Sequence, residues 1–177
     1  MNARIAIVSR ALLAISLILG LPSTAGADGG SIIGWGRSVV VGDLSGGFVA
    51  VAAGGNHSLG LKDDGSIVAW GRNEYGQHCN LPEPNIDFVA VAAGGLHSLG
   101  LKSDGSIVAW GSNLYGACNV PDPNTDFVAV AAGAGYNGSH SLGLKSDGSI
   151  VAWGYNYYGQ CDVPDPNTDF EAIAAGG

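Results

Sequence analysis

The sequence FVAVAAG occupies residues 88–94 and recurs unchanged at residues 48–54 and 127–133, with a related form, FEAIAAG, at residues 170–176. The starting positions are therefore 40, 39 and 43 residues apart. Small apolar residues that alternate between two faces are typical of a strand packed closely in a sheet. A period of ~40 residues that contains only strand signals predicts a propeller or a related β array.

Each copy continues with two further strand patterns joined by a tight turn. In the second copy, HSLGLK stands at residues 97–102, IVAWG at residues 107–111, and Asp104-Gly105 lies between them. Because glycine accepts the positive φ that a tight reversal requires, this pattern predicts a β-hairpin. The same hairpin pattern recurs at residues 57–71 and 140–154. Proline-containing stretches follow, which cannot join a central strand and are predicted to cross to the next copy.

The repeats account for most of the chain and predict its fold class. We assign residues 48–87, 88–126 and 127–169 to three full repeats, residues 28–47 to a degenerate partial repeat and residues 170–177 to the start of a further repeat. The chain has 30 glycines and no long run with helical spacing of apolar residues. The predicted fold class is all-β, a β-propeller in the form of a partial ring.

The first 27 residues are predicted to be a signal peptide. Two arginines stand ahead of a short apolar run, residues 11–21, which is too brief to span a bilayer comfortably. The small residues AGA at positions 25–27 suit a signal peptidase, so cleavage is expected between Ala27 and Asp28. The alternative, a retained membrane anchor, would need a longer apolar run. We therefore expect export to the periplasm, the cell surface or the medium, without a membrane association after cleavage.

The charge of the mature chain bears on its partners. Removal of the signal peptide leaves five basic against fifteen acidic residues, a formal charge of −10. A chain this acidic repels nucleic acid and anionic lipid. The remaining 150 residues suit one domain of ordinary size.

The order of the short motifs resembles a known repeat family. Ala-Ala-Gly, His-Ser-Leu-Gly-Leu, Asp-Gly-Ser-Ile-Val-Ala-Trp-Gly and Asn-x-Tyr-Gly follow one another, and no Trp-Asp pair ends a copy. This order closely resembles the repeat of the regulator of chromosome condensation family over about residues 31–177. The resemblance implies a full ring of about seven blades, so we expect the chain to be a piece of a longer protein. It also implies protein binding, because the family includes a nuclear exchange factor for a small GTPase and a secreted inhibitor of β-lactamases.

The candidate catalytic and metal-binding residues have structural explanations. Three histidines recur at one repeat position: His57, His97 and His140. They could surround a metal, but a residue identical in every copy is better explained by a structural hydrogen bond. The acidic loops at residues 83–87, 122–126 and 165–169 lack the dense spacing of a calcium loop and are predicted to cap turns. Nothing in the sequence assembles a catalytic set, so we predict no catalytic residue, no cofactor and no metal.

The three cysteines, Cys79, Cys118 and Cys161, stand at equivalent places in successive copies. Equivalent points on neighbouring blades are separated by a blade rotation, which we expect to exceed the ~7 Å between α-carbons that a disulfide spans. All three are therefore predicted to be unpaired thiols, although the chain is predicted to leave the cytoplasm.

The copies differ most in the loop after the third strand. Arg72, Ser112 and Tyr155 differ at one equivalent position, and Glu74, Leu114 and Tyr157 differ at another. The insertion at residues 135–138 occurs once only. Positions that vary between the copies are not required by the blade structure, so they can contact a binding partner. Aromatic residues on rigid loops contribute much binding energy for little lost entropy. The predicted protein-binding residues are Tyr136, Tyr155 and Tyr157.

Two functions of different classes are consistent with these features. The first is an exported interaction module that binds a protein of unknown identity and has no catalysis of its own. The second is the propeller part of a larger secreted carbohydrate-active or other hydrolytic protein. A guanine-nucleotide exchange factor like the family namesake fits least, because no copy carries an obvious wedge-like insertion. We predict the non-enzymatic interaction module.

Overall fold

The three full repeats fold into antiparallel sheets of the same design. The computed structural model describes residues 39–41, 46–74, 80–135 and 138–176. Each repeat supplies an inner, a middle and an outer strand, which pair in that order. The strands are β1 (Val39–Val41), β2 (Phe48–Ala53), β3 (His57–Lys62), β4 (Ile67–Gly71), β5 (Phe88–Ala93), β6 (His97–Lys102), β7 (Ile107–Gly111), β8 (Phe127–Ala132), β9 (His140–Lys145) and β10 (Ile150–Gly154). The predicted all-β propeller fold is confirmed.

Strand β1 belongs to the segment that we assigned to the partial repeat at residues 28–47. It pairs antiparallel with β4, so the first sheet has four strands in the order β1-β4-β3-β2. The second and third sheets have three strands each among the described residues. A fourth strand on the outer edge covers backbone groups of β4 that would otherwise be unpaired.

The turn between the middle and outer strands is the predicted Asp-Gly reversal. Asp104 Oδ1 accepts hydrogen bonds from the Ser106 N–H at 2.9 Å and from the Ser106 hydroxyl at 2.6 Å. Gly105 has a φ of +81°, which glycine adopts without strain. The same bonds recur at Asp64 and Asp147. The predicted hairpins are confirmed.

The hydrophobic core lies between neighbouring sheets. Leu59 of β3 is buried in one cluster with Phe88 of β5. Leu99 of β6 is buried in the next cluster with Phe127 of β8. Burial of a leucine or phenylalanine side chain contributes about 1.5–3 kcal/mol. Each blade is therefore stabilised chiefly by its neighbour, as in other repeat proteins.

Each inner-strand phenylalanine lies over a glycine of the middle strand. A Cβ atom on Gly100 would stand 2.6 Å from Phe88 Cε1, so the ring leaves room for glycine alone. The Lys102 ammonium group lies 4.9 Å from the centroid of the same ring. Equivalent contacts join Phe48 to Lys62 and Phe127 to Lys145. This packing explains why Phe and the Leu-Gly-Leu-Lys motif recur together.

The asparagines of the crossing loops pair with the outer strands. Asn124 Oδ1 accepts from the Ile107 N–H at 2.7 Å, and Asn124 Nδ2 donates to the Ile107 carbonyl at 2.8 Å. Asn85 and Asn167 make the same two bonds to Ile67 and Ile150. We expected these loops to cap their own turns. Their asparagines instead extend the hydrogen-bond ladder of a strand 17 or 18 residues earlier.

Several sequence predictions fall outside the described residues. The signal peptide with its cleavage site between Ala27 and Asp28 is one, and Cys79 and Tyr136 are two others. Most of the partial repeat at residues 28–47 is also outside. Within the part of the chain that the structure describes, no helix has the length and apolar character needed to cross a membrane.

Candidate protein-binding site

The loops that follow β7 and β10 are held by a central asparagine. Asn156 Oδ1 accepts from the Cys161 N–H at 2.7 Å, and Asn156 Nδ2 donates to Asp162 Oδ1 at 2.8 Å. Asn113 makes the equivalent bonds to Cys118 at 2.9 Å and to Asn119 at 2.8 Å. Each asparagine thus bridges residues five and six positions later and closes its loop. The loops present their remaining side chains from a fixed backbone.

Four tyrosines of these loops form one cluster of aromatic rings, which we call the tyrosine cluster: Tyr115, Tyr155, Tyr157 and Tyr158. The Tyr155 ring centroid lies 4.7 Å from that of Tyr115, 6.4 Å from that of Tyr157 and 6.3 Å from that of Tyr158. Tyr157 and Tyr158 meet edge to face at 4.9 Å. These separations lie within the range of favourable aromatic pairs. The cluster joins the loops of two successive blades around Tyr155.

The outer members of the cluster are largely exposed. Tyr157 is 77% exposed, Tyr158 75% and Tyr115 54%, and the neighbouring Leu114 is 61% exposed. Tyr155 is half-buried at the centre. Its pKa is raised by partial burial and by the neighbouring tyrosines, so its hydroxyl is protonated at neutral pH. The cluster therefore offers an exposed aromatic surface.

Gly138 provides the space in which the Tyr155 ring lies. A Cβ atom on Gly138 would overlap Cγ of that ring. Gly138 belongs to the four-residue insertion at residues 135–138, which the other copies lack. The insertion therefore helps to position Tyr155.

The structure brings together two of the three tyrosines that the sequence singled out. Tyr155 and Tyr157 lie in one cluster, whereas Tyr136 is outside the described residues. Tyr115 and Tyr158 were not predicted, because both belong to the recurring Asn-x-Tyr-Gly motif and were taken for framework. The sequence signal that could have revealed them is that each tyrosine stands beside a turn glycine, Gly116 or Gly159, and outside every predicted strand.

The recurring histidines connect successive blades. His57 Nε2 lies 2.8 Å from the Ser98 hydroxyl, and His97 Nε2 lies 2.9 Å from the Ser141 hydroxyl. Burial, with a smaller effect from the charges of His57 and His140, lowers the pKa of His97 to about 4, so it is neutral at pH 7. The structural explanation is supported for His57 and His97, whose partner is a serine hydroxyl of the next blade. Among the described residues, no group of three or more His, Cys, Asp or Glu side chains could hold a metal ion.

Cys118 and Cys161 are free thiols, as predicted. The Cys118 thiol donates to the Ser112 carbonyl and the Cys161 thiol to the Tyr155 carbonyl, each at 3.5 Å. Burial raises the pKa of Cys118 to about 11 and also raises the pKa of Cys161. Both thiols are therefore protonated at neutral pH and are poor nucleophiles.

Comparison with known proteins agrees with this architecture. A family model for the regulator of chromosome condensation (RCC1) repeat matches residues 48–77, 88–117 and 127–160. No curated protein matches the sequence.

Several solved structures share the fold. Prp20p from Saccharomyces cerevisiae is 21% identical with a TM-score of 0.59, covering 75% of this chain and 42% of Prp20p. The ectodomain of the Arabidopsis thaliana receptor kinase ACR4 is 26% identical with a TM-score of 0.55, covering 73% and 43% of the two chains. The ectodomain of the Physcomitrella patens receptor kinase CR4 is 26% identical with a TM-score of 0.55, covering 73% and 36%. The chain spans less than half the length of each of these proteins. Because the repeat model covers just over half of the 177 residues, the chain belongs to the regulator of chromosome condensation (RCC1) repeat family.

Proposed function

We propose that this protein is an exported propeller that binds a protein partner and has no catalysis of its own. The observation that carries this proposal is the tyrosine cluster, three of whose four rings are more than half exposed. Large aromatic side chains held at a surface are the residues that most often dominate protein–protein binding energy.

The loops that hold the cluster favour binding for an entropic reason. A tyrosine has few rotatable bonds, so its burial against a partner loses little conformational freedom. The backbone beneath it is already fixed by the Asn113 and Asn156 hydrogen bonds. A surface that is ordered before it meets its partner loses less entropy on association.

The chemistry of the described residues and the similar proteins support binding rather than catalysis. Cys118 and Cys161 are protonated thiols, and His57 and His97 are engaged with serines inside the fold. Prp20p is described by its binding to Gsp1p and histones, and it has also been crystallised bound to Kap60. Each of these partners is a protein. The formal charge of −10 expected for the mature chain disfavours nucleic acid as a partner here.

Two surface variants and a control test the cluster. The full chain is used to capture proteins from the native medium, and the captured protein is then purified for titration calorimetry. Tyr157→Ala/Tyr158→Ala removes the two most exposed rings and should weaken binding at least tenfold, the size of a hot-spot loss. Gly138→Ala keeps every tyrosine but displaces Tyr155, and it should weaken binding as well.

The matched control is Ile86→Ala, which shortens an exposed apolar side chain outside the cluster. It should leave the dissociation constant unchanged within about twofold. Equal binding by the wild-type chain and both cluster variants would place the binding surface elsewhere. A medium from which the chain captures no specific protein would contradict the proposed function itself.

We also propose that the chain is exported and cleaved between Ala27 and Asp28. The support comes from the apolar run at residues 11–21 followed by small residues, and two of the similar structures are themselves ectodomains. Mass spectrometry of the secreted protein should find Asp28 as the first residue. An intact Met1 in purified membranes would contradict export.

A further inference from the structure

The loop that holds most of the tyrosine cluster contains an acidic residue that the other copies lack. Asp162 of the third repeat stands where the second repeat has Asn119 and the first has Asn80. Asn119 and Asp162 make the same loop-closing bond, accepting at 2.8 Å from the side-chain amides of Asn113 and Asn156, respectively. Asparagine therefore satisfies the structure at this position, and aspartate adds a charge that the loop does not need for its closure.

The Asp162 carboxylate lies close to the backbone that carries the tyrosines. Its Oδ1 is bonded to Asn156, which stands between two tyrosines of the cluster in the chain. Its Oδ2 would be 3.0 Å from a Cβ atom on Gly159, so the second oxygen lies against the residue that follows Tyr158. Asp162 is exposed. A negative charge is therefore held beside the tyrosine cluster and open to solvent.

The exposure of Tyr157 and Tyr158 belongs to their position in the repeat. The equivalent residues of the second repeat are Leu114 and Tyr115. Both are more than half exposed, although the third blade follows them and Tyr155 packs on Tyr115. A following blade thus leaves this part of the loop accessible to a partner.

Three rings of the cluster are close enough to contact one cation. The Tyr155 and Tyr157 rings are nearly parallel, at 18°, and the Tyr158 ring is steeply inclined to both, at 73° and 89°. Their centroids are separated by 6.4, 6.3 and 4.9 Å. A single point outside the rings can therefore lie within ~6 Å of all three centroids, which is the reach of a cation–π contact.

The chain uses cation–π contacts elsewhere, but the cations concerned lie far from the tyrosine cluster. Lys62, Lys102 and Lys145 lie 5.4, 4.9 and 4.2 Å from the centroids of the inner-strand phenylalanines. These lysines end the middle strands, whereas the loops of the cluster follow β7 and β10 and lie at the opposite end of each blade. Among the described residues, no lysine or arginine lies over a ring of the cluster. A cation for these rings must come from a partner.

We propose that the tyrosine cluster and Asp162 together bind an arginine side chain, and that the protein partner presents a basic segment to this surface. The inference rests on the proposed function and names the chemistry of the partner. A planar guanidinium group stacks on an exposed tyrosine ring while one of its N–H groups donates to the Asp162 carboxylate. A basic segment also complements the formal charge of −10 expected for the mature chain.

The test uses the full chain, isotope-labelled for NMR, and a pair of synthetic peptides that differ in charge but hardly in shape. The first is acetyl-Gly-Arg-Gly-Arg-Gly-amide, and the second has the neutral residue citrulline in place of each arginine. The arginine peptide should give saturable shifts at the backbone amides of residues 155–162 at millimolar concentrations. The citrulline peptide should bind about tenfold more weakly, because it loses both the cation–π contact and the ion pair.

Asp162→Asn is the sharpest variant, because it restores the residue of the other repeats and keeps the loop-closing bond. It should weaken binding of the arginine peptide about three- to fivefold and leave binding of the citrulline peptide unchanged. Glu83→Gln is the matched control, because it neutralises an exposed carboxylate in the crossing loop of the first repeat. Its effect should stay within about twofold, since distant surface charges are screened by salt.

The results distinguish a failure of this inference from a failure of the proposed function. Equal binding of the two peptides, or equal binding of the arginine peptide by the wild-type chain and Asp162→Asn, would overturn the arginine site. If Tyr157→Ala/Tyr158→Ala weakens binding of a captured protein and Asp162→Asn does not, the proposed function stands and the arginine site is wrong. If the arginine peptide binds as expected and no protein is captured from the medium, the arginine site is supported and the proposed function is contradicted. Saturable binding of a neutral sugar, cellotetraose, at residues 155–162 without binding of the arginine peptide would overturn the inference in favour of a carbohydrate surface.

Discussion

The contact between blades and the loop after the outer strand belong to the same repeat, but they have diverged to very different extents. At the contact, His57 and His97 meet their serines at 2.8 and 2.9 Å. In the loop, Arg72 pairs with Glu74 in one copy, whereas Tyr155 contacts other tyrosines in another copy. A buried contact between blades tolerates only residues of one size and hydrogen-bonding capacity, so it is the same in every copy. An exposed loop tolerates many residue types.

The loop backbone is nevertheless preserved while its surface changes. Asn113 and Asn156 make equivalent hydrogen bonds in two loops whose outward residues differ. The fold thus separates positions that hold the loop from positions that face solvent. Substitutions at the two kinds of position should differ sharply in their effect on stability.

The largest effect is expected from Gly100→Val in the packed framework. The added side chain would overlap Phe88, which is buried between two sheets and has no free space to move into. We expect a loss of about 3 kcal/mol in the free energy of unfolding, measured by urea denaturation and tryptophan fluorescence. Gly60→Val is the matched control, because Phe48 above Gly60 is half-buried and can move outward. Equal losses in both variants would show that the phenylalanine does not determine the cost.

A smaller effect is expected from pH at the blade contact. The pKa of His97 is about 4 in the folded protein, against an ordinary value of 6.5 in the unfolded chain. Between these values the unfolded state binds more protons, so stability is lost as the pH falls below about 6.5. The loss from pH 7 to pH 5 should be about 2 kcal/mol.

His97→Gln serves as the control for this pH effect. Glutamine can still hydrogen-bond to the Ser141 hydroxyl but does not titrate. Urea denaturation at several pH values should show a flatter dependence in the variant, with a remainder from His140, whose pKa is also lowered by burial. An unchanged slope would show that His97 is not the responsible group.

The asparagine of the crossing loop should contribute less to stability than the packing at Gly100 or the protonation of His97. Asn124→Ala removes both bonds to Ile107 and should lower the free energy of unfolding by about 1–2 kcal/mol in thermal or urea denaturation. Asn124→Asp keeps the acceptor and loses the donor, so its effect should be intermediate. Asn113→Ala, in an exposed loop, should lower stability by less than about 1 kcal/mol. A larger loss at Asn113 than at Asn124 would contradict the distinction between blade framework and loop.

The fold was predictable from the sequence because its signals are local and repeated. The Asp-Gly turn joins strand patterns only a few residues apart, and the spacing of the copies indicates a propeller. The serine partners of His57 and His97 lie 41 and 44 residues further along the chain, and only the placement of neighbouring blades brings each pair together. The bonds from Asn124 to Ile107 escaped prediction for a similar reason, because they span 17 residues between a loop and a strand.

The tyrosine cluster was predictable in part. Comparison of the copies singles out Tyr155 and Tyr157 because they replace other residues at equivalent positions. Tyr115 and Tyr158 recur, and recurrence alone does not distinguish a residue that packs in the core from one that stands on a turn. The structure separates the two cases by exposure, since Tyr158 is exposed and the recurring Trp153 is buried.

The smallest effect on stability is expected from Tyr157→Ala/Tyr158→Ala, in spite of the size of the side chains removed. Both rings project into solvent and contact mainly one another and Tyr155, so their loss leaves no cavity. The free energy of unfolding should change by no more than about 0.5 kcal/mol. Tyr155→Ala should lower it by more, because the half-buried Tyr155 ring packs on Gly138. Urea denaturation of the two variants makes the comparison directly. A loss of about 2 kcal/mol or more in the double variant would show that these tyrosines support the blade, and their exposure would then no longer indicate a surface reserved for a partner.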